Sequence, residues 1–573
     1  MINLVGFHRR EDKSKYWAKF DRLEKTPEEL EDDPECIANA KFIKKVAIKD
    51  SDKTTFIYKF NEQNFKIKEG DSAFDIISDT TFGTITKITE IKDDENYIEC
   101  TLGKKRLDKV GEPPKNFDFG PGSVINSSTI ATALNRFIID YSESTKTKYK
   151  CAEDILKNNF PDLLKVKIGE PIFDIEKDLI EESTLAVKKL NSSYLLVQGP
   201  PGSGKTFTSA KIILSLIKDN KTVGITSNSH KAINNLLMQI ENLALEENFT
   251  FKGLKKSSKD EQKLNGKIIE DISGGMKDFP KDYLLHAGTA WLFSDPRYDQ
   301  QIDYLFVDEA GQVALANTLA IATSAKNIIL IGDQMQLSQP IQGVHAGNSG
   351  KSALDFLLEG EDTIPVSKGI FLSETRRLNK NICDYISSSF YDFRLKSHPV
   401  TNDRSVSLDL KNIKNEGIFY LPTNHVDCTQ KSDEEAEIIS TYYNKIIGKD
   451  YKENGKIGKI GHDDVMVVAP FNMQVNNLEK ILNEKDARIG TIDKFQGQES
   501  KVVFISMTSS DPENLPRHKE FFFSRNRLNV AISRAQCVAI ILFNSSLLLT
   551  DCQKINEMRL VNNFCKLLKY EIK

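Results

Sequence analysis

Hydrophobic positions change their period as the chain is followed from its start. Over residues 1–41, Phe7, Tyr16, Trp17, Phe20 and Leu23 recur at helical spacing among Lys, Arg and Glu, which predicts a packed helical arm. Aromatics at that spacing are expected in a core, although Tyr16 and Trp17 could instead stack on bases. From 42 to 102 the pattern turns to short alternating runs, Thr54-Thr55-Phe56-Ile57-Tyr58-Lys59-Phe60 and Gly83-Thr84-Ile85-Thr86-Lys87-Ile88-Thr89. Polar turns at Lys68-Glu69-Gly70-Asp71 and Lys92-Asp93-Asp94-Glu95-Asn96 separate such runs, and together they predict a small β-barrel. Residues 103–176, broken at Gly111-Glu112-Pro113-Pro114 and Phe119-Gly120-Pro121-Gly122, predict a helical connection.

Beyond residue 176 the pattern is strand, motif, helix, repeated. The apolar runs Tyr194–Val197, Val223–Thr226, Tyr304–Val307 and Ile328–Ile331 suit strands buried on both faces, so a parallel sheet wrapped by helices is expected over 177–362. After an irregular stretch from Asp355 to Lys368, the pattern resumes with Val465–Ala469, Lys501–Ile505 and Val538–Leu542, which predicts a second α/β lobe over 363–573. No apolar run reaches the eighteen or so residues that a membrane helix needs.

Chemistry sits at the ends of these strands. Gly199-Pro200-Pro201-Gly202-Ser203-Gly204-Lys205-Thr206 fits the GxxxxGK[ST] phosphate loop and lies between a strand and a helix, the context that loop requires. Its glycines let backbone amides curl around phosphates. Lys205 would reach the β- and γ-phosphates, Thr206 would offer a hydroxyl to Mg²⁺, and the helix N-terminus would add partial positive charge. Asp308 and Glu309 follow directly on the strand at 304–307, where ligands bind in open α/β sheets. A bare Asp-Glu pair is usually a solvated turn. Coupled to the phosphate loop, Asp308 can hold the hydrated Mg²⁺ and Glu309 can orient and deprotonate an attacking water. Gly332-Asp333-Gln334-Met335-Gln336-Leu337 ends the next strand and presents Gln336 towards the same edge, where it could sense the γ-phosphate.

Composition narrows the picture further. Hydrophobic residues make up 39% and charged residues 28% of 573, ordinary for a multidomain globular chain. The start carries no secretory signal, so a cytoplasmic location without membrane insertion is the expectation. Eight cysteines without a CxxC pair suggest neither a zinc site nor an iron–sulfur cluster. A net charge of −4 does not advertise nucleic-acid binding, so any such binding must be local.

Together, the phosphate loop, Val307-Asp308-Glu309-Ala310-Gly311-Gln312 and the Gly332–Leu337 stretch resemble motifs I, II and III of the superfamily 1 helicases. The spelling DEAGQ resembles the 5′→3′ branch, which includes nonsense-mediated-decay RNA helicases and flap-processing nuclease-helicases. Ser227-Asn228-Ser229-His230-Lys231-Ala232 resembles motif Ia and His286-Ala287-Gly288-Thr289-Ala290 the next strand-touching motif. The resemblance therefore implies nucleic-acid contacts from Ser227, Asn228, His230 and Thr289. Phe371–Leu378 resembles the opening of a second lobe, with Arg377 expected at the γ-phosphate and Arg376 beside it as the alternative. Val468–Gln474 and Gly490–Glu499 resemble later motifs, implying nucleic-acid contacts from Pro470, Asn472 and Thr491 and nucleotide contacts from Gly497 and Glu499. Asn529–Ala535 is similar to motif VI, whose arginine, here Arg534, acts as a finger across the cleft.

The resemblance implies two tandem RecA-like lobes of the P-loop NTPase type, with an N-terminal helical arm and small barrel, using ATP and Mg²⁺ as a monomeric helicase or translocase. No glutamine stands near Glu182–Thr184, where the family's adenine-reading residue falls, while Gln198 lies close to the loop as a nucleotide-binding candidate. A narrower resemblance, carried by Phe7–Glu11 through Trp17, Thr26–Leu30 and Gln339–His345, is to the helicase part of bacterial RecB-like nuclease–helicase fusions. Residues 1–175 offer no Asp…Glu-x-Lys cluster for such a nuclease, so a separate nuclease partner is conceivable. The expectation is 5′→3′ movement on single-stranded DNA, with RNA possible. The competing class is an ATP-gated nucleic-acid clamp, or an RNA remodeller working beside a separate nuclease.

Overall fold

The computed structural model describes all residues except 50, 64, 90–95, 175, 409–412, 496, 514, 516–518 and 573. The expected turn residues Lys92–Glu95 and the motif residue Gln496 thus lie outside the described residues. The chain divides into two compact units, one of Met1–Ser128 with Ile341–Gly347, the other of Thr129–Pro340 with Asn348–Lys573.

In the smaller unit, helices Ile2–Val5, Phe7–Glu24 and Pro27–Glu31 form the arm. Thr26 starts the last of these with a reciprocal cap, its hydroxyl accepting from Glu29 N while Glu29 accepts from Thr26 N. The long helix grips the strap Ile341–Gly347. Glu11 accepts from Gly343 N at 2.9 Å and from His345 Nε2 at 2.6 Å, and Phe7 stacks on His345 at 4.5 Å. Arg10 Nε donates to His345 Nδ1, which fixes the proton of a neutral ring on Nε2. Only glycine fits at 343, because a Cβ there would lie 2.7 Å from Arg10 O. Two of the three stretches that carried the narrower resemblance, the first and the last, are therefore packed on each other.

Six antiparallel strands close the barrel: β1 Ile37–Ala47, β2 Lys53–Phe60, β3 Ser72–Asp75, β4 Thr80–Thr89, β5 Asn96–Gly103 and β6 Asn116–Gly120. Their order is β1-β2-β5-β4-β3-β6. Alternation drives closure: Phe56, Tyr58 and Phe60 on β2 and Ile98, Cys100 and Leu102 on β5 point into one core with Phe117 and Phe119. The expected bounds of 42–102 were too narrow. The barrel takes β6 from the segment read as a helical connection, because the short run Asn116–Gly120 between Pro and Gly breakers is needed to cover the open edges of β1 and β3.

The arm also departs from expectation. Phe7 and Leu4 are buried, but Tyr16, Trp17, Phe20 and Leu23 are exposed.

The larger unit holds two parallel sheets. The first contains β7 Tyr194–Gln198, β8 Val223–Thr226, β9 Gly253–Lys256, β10 Ile269–Ile272, β11 Leu285–Ala287, β12 Ile302–Val307, β13 Ala325–Gly332 and β14 Gly369–Phe371. Its order is β10-β9-β11-β8-β12-β13-β7-β14. β14 pairs with β7, so the first lobe's sheet ends at Phe371 rather than before residue 363. The second sheet contains β15 Gly417–Pro422, β16 Val465–Ala469, β17 Arg488–Thr491, β18 Ser500–Ser506 and β19 Ala535–Phe543. Its order is β15-β19-β18-β16-β17. Strands such as Tyr194–Gln198 and Val465–Ala469 are buried at every position, as continuous apolar runs in a doubly covered sheet must be. Among the described residues, no helix is long and apolar enough to cross a membrane.

Candidate functional site

β7 ends at Gln198 and the loop Gly199–Gly204 leads into the helix Lys205–Lys218. The turn needs backbone that only glycine adopts freely, with φ at 72° for Gly202 and 80° for Gly204. A Cβ on Gly202 would meet Arg377 Cβ at 2.3 Å, so the loop also needs glycine where the second lobe's first segment crosses it. Two further contacts fasten that segment: Arg376 N donates to Gly202 O at 2.9 Å, and Thr375 Oγ1 donates to Pro201 O at 2.8 Å. Inside the loop, Lys205 Nζ donates to the carbonyls of Gly199 and Pro200. Ser203 Oγ is buried without a hydrogen-bond partner. Thr206 is exposed on the first helical turn.

Asp308 and Glu309 leave the carboxyl end of β12, two strands from β7 across β13. Asp308 Oδ1 accepts from Glu309 N at 2.9 Å, and Glu309 takes the left-handed conformation, φ 55°. Burial raises the Asp308 carboxyl, against the pull of the Glu309 amide and Lys205. Burial, and then the Asp308 charge, push Glu309 up to about 7. Lys205 is held below the usual lysine range by burial, and the charges of Arg377 and Arg534 act the same way against Asp333 and Asp308.

The second lobe contributes from the opposite ends of its strands. Glu499 and Arg534 stand just before β18 and β19, at their amino ends. Arg377 Nε donates to Glu499, which also accepts from Gln536 Nε2 at 2.8 Å. Burial would raise Glu499, but the Arg377 charge and hydrogen bond hold it low. Arg534 is 2% exposed, and donates to Val530 O at 3.1 Å and Gln498 O at 2.9 Å. Gly497, with φ 75°, turns the chain just ahead of Gln498. Burial and then the Arg377 charge push Arg534 down to about 9. A guanidinium stays protonated at neutral pH, so this is a buried cation short of negative partners.

A bridge that the sequence did not announce joins the lobes. Asp333 Oδ2 accepts from Tyr391 Oη at 2.6 Å and from Gln336 Nε2 at 2.8 Å. Asn529 Nδ2 donates to Tyr391 Oη at 2.8 Å and to Met335 O at 2.7 Å. Asn526 Nδ2 donates to Gln334 O at 2.8 Å, and Arg525 makes a two-toothed pair with Asp362 at 3.1 and 2.7 Å. Asp333 and Asn529 stood inside recognisable motifs; Tyr391, at the end of the helix Lys380–Phe390, had no signal at all.

One candidate is corrected. Gln198 is fully buried and its amide is spent on the fold: Oε1 accepts from Ile364 N at 2.9 Å, and Nε2 donates to Asp362 O at 3.0 Å. It pins the segment after the first lobe's last helix and cannot read a base.

The candidate nucleic-acid residues form two neighbouring sets. Ser227, Asn228 and His230 follow β8, and Thr289 follows the adjacent β11. Pro470 and Asn472 follow β16, and Thr491 ends the adjacent β17. Ser227 Oγ and His230 Nδ1 are buried without partners, whereas Asn228 Nδ2 already donates to Gln312 O at 2.6 Å. The structure therefore gathers Lys205, Asp308, Glu309, Gln336, Arg377 and Arg534 about one loop, and sets the nucleic-acid candidates on other strand ends.

Two family models, each described as an AAA domain, match residues 183–341 and 352–546. The chain is 24% identical over 498 residues to the DNA polymerase alpha-associated DNA helicase A of Schizosaccharomyces pombe, covering 72% of each. It is 23% identical over 479 residues to the DNA replication ATP-dependent helicase/nuclease DNA2 of Gallus gallus, covering 77% of this chain and 44% of that protein. It thus spans less than half of that nuclease-bearing relative. A crystal structure of Arterivirus nonstructural protein 10 (helicase) aligns with 83% of this chain and 75% of its own, at a TM-score of 0.37 and 13% identity.

Proposed function

We infer that this chain, a superfamily 1 helicase, is an ATP-driven motor that moves 5′→3′ along single-stranded DNA. The observation that carries this reading is the meeting of Asp308 and Glu309 from one lobe with Arg377 and Arg534 from the other around Lys205, which feels the charge of each.

The residues fit a magnesium triphosphate. Ser203 Oγ is an orphaned buried donor inside the loop, and Arg534 is a buried cation short of negative charge. Thr206 and Asp308 offer one hydroxyl and one carboxylate, the sparse protein donor set from which Mg²⁺ is commonly held, with phosphates and water completing its shell. When bound there, Mg²⁺ would supply positive charge that offsets the charge of the phosphates.

The loop amides of Gly202, Ser203 and Gly204 cradle the phosphates, the Gly199 amide being held by Gly332 O at 2.9 Å, while Lys205 leaves its carbonyl partners to contact the β- and γ-phosphates. Glu309 orients the attacking water and takes its proton, a task suited by a carboxyl near neutrality. Gln336, held by Asp333, senses the γ-phosphate. Arg377 and Arg534 match the charge that builds on the transferred phosphoryl group. Glu499 and Gly497 place these arginines, since Glu499 holds Arg377 and Gly497 leads into the carbonyl that holds Arg534. Closure and reopening of the lobes would shift a strand past Ser227, Asn228, His230 and Thr289 on one side and Pro470, Asn472 and Thr491 on the other.

Strand displacement on DNA and RNA duplexes with 5′ or 3′ tails tests the reading. ATP-dependent opening of the 5′-tailed DNA duplex is expected. Absence of both unwinding and tail-stimulated ATP turnover on every substrate contradicts it. Tight ATP-dependent binding without unwinding or translocation would mark a clamp. A monomeric state, a cytoplasmic location and a separate nuclease partner belong to the same proposal, and sedimentation with and without DNA tests the first.

A further inference from the structure

The arm helix Phe7–Glu24 has one committed face and one free face. Phe7, Arg10, Glu11 and Ser14 hold the strap, and Arg22 pairs with Asp33 at 2.8 Å, so the helix cannot roll. The opposite side carries Arg9, Lys13, Tyr16, Trp17 and Phe20, at offsets of four, seven, eight and eleven residues from the first, which is one helical stripe. These side chains are exposed, Trp17 at 63%, Phe20 at 50% and Tyr16 at 43%. Tyr16 and Phe20 stack on each other at 6.4 Å, which stiffens an aromatic platform beside the indole. Arg9 and Lys13 make no ion pair among the described residues, whereas Lys19, off the stripe, is tied to Asp79.

Flat aromatic faces lying next to unpaired cations match one ligand chemistry well. Bases stack on rings whatever their identity, and phosphates seek the cations. In a chain of net charge −4, such an uncompensated basic and aromatic stripe needs a local reason. We propose that this face of the arm is an accessory platform for single-stranded nucleic acid, engaging the strand outside the two motor lobes. The proposal rests on the motor reading above, because it supposes a strand to engage.

The chain has two tryptophans, Trp17 and Trp291, so Trp291→Phe leaves the arm indole as the sole fluorophore of its kind. Titration with a thymidine oligonucleotide of about 30 nucleotides is expected to quench Trp17 emission about twofold through base stacking. In Tyr16→Ala/Trp17→Ala/Phe20→Ala, affinity for the oligonucleotide should fall about tenfold or more, with ATP turnover in the absence of nucleic acid unchanged. Arg9→Glu/Lys13→Glu should flatten the dependence of log affinity on log salt by about 1.4, the value for two lost phosphate contacts on a single strand. Stimulation of ATP turnover by the oligonucleotide with no change in Trp17 emission would overturn the platform and leave the motor standing. An oligonucleotide that neither binds nor stimulates would overturn both. A change in Trp17 emission on raising protein concentration, with no change on adding the oligonucleotide, would show that a second copy covers the stripe and would also overturn the proposal.

Discussion

The first lobe works from the carboxyl ends of its strands and the second from the amino ends. β7, β12 and β13 deliver the phosphate loop, Asp308 with Glu309, and Asp333, while Glu499 and Arg534 stand ahead of β18 and β19. The first lobe thus brings acids and a phosphate seat, the second mainly guanidinium groups. One sheet type supports both because a parallel sheet has two distinct edges, with strand-to-helix turns at one and helix-to-strand turns at the other. The acids are lifted by burial and the cations lowered, so each set is electrostatically unsatisfied without the other and without a polyanion between them.

That contrast can be broken from either side. Glu309→Gln removes the first lobe's proton acceptor and should lower ATP turnover by about a thousandfold while ATP still binds, checked by steady-state turnover and equilibrium binding. In the unaltered protein, kcat/KM for ATP should rise with pH with a midpoint at about 7, because Glu309 must be ionised to accept a proton and is half protonated there in the free protein. The same shift works against stability: the folded protein binds this proton more tightly than the unfolded chain between 4.5 and about 7, so stability falls as pH rises through that window. Glu309→Gln should shrink that fall to the part left by Asp308 and Asp333, which burial also raises, read by chemical denaturation across the range.

Smaller effects sharpen the bridge between the lobes. Asn529→Ala cuts the second lobe's bond to Met335 and its support of Tyr391, and should reduce nucleic-acid-stimulated turnover about tenfold with unstimulated turnover nearly intact. Gln198→Ala leaves Ile364 N without its partner, while Asp362 O keeps its bond from Gln334 Nε2, and should cost about 1–3 kcal/mol of stability by denaturant titration. Its KM for ATP should stay within about twofold of the unaltered protein, the result expected of a structural clamp rather than a base reader.

The sequence made the parallel lobes readable because strands buried on both faces leave continuous apolar runs, and the phosphate loop readable because its glycines and lysine have few other uses together. Gln198 was misread for a physical reason. Its position beside the loop is equally compatible with a ligand or a clamp, and the deciding partner, Ile364 N, lies 166 residues away in the chain. Tyr391 was invisible for the same reason, being defined by Asp333 and Asn529, 58 and 138 residues distant. The arm failed differently: helical spacing of aromatics signals one face but does not say what that face meets, and here Tyr16, Trp17 and Phe20 face solvent. β6 was lost because five residues between breakers carry too short an alternation to be told from a loop.

The central claim, one ATP site completed by both lobes, is tested most directly by Arg534→Ala, assayed for ATP binding and for turnover with saturating single-stranded DNA. The account predicts ATP affinity within a few-fold of the unaltered protein and turnover lower by about a thousandfold or more. Turnover close to that of the unaltered protein would contradict it.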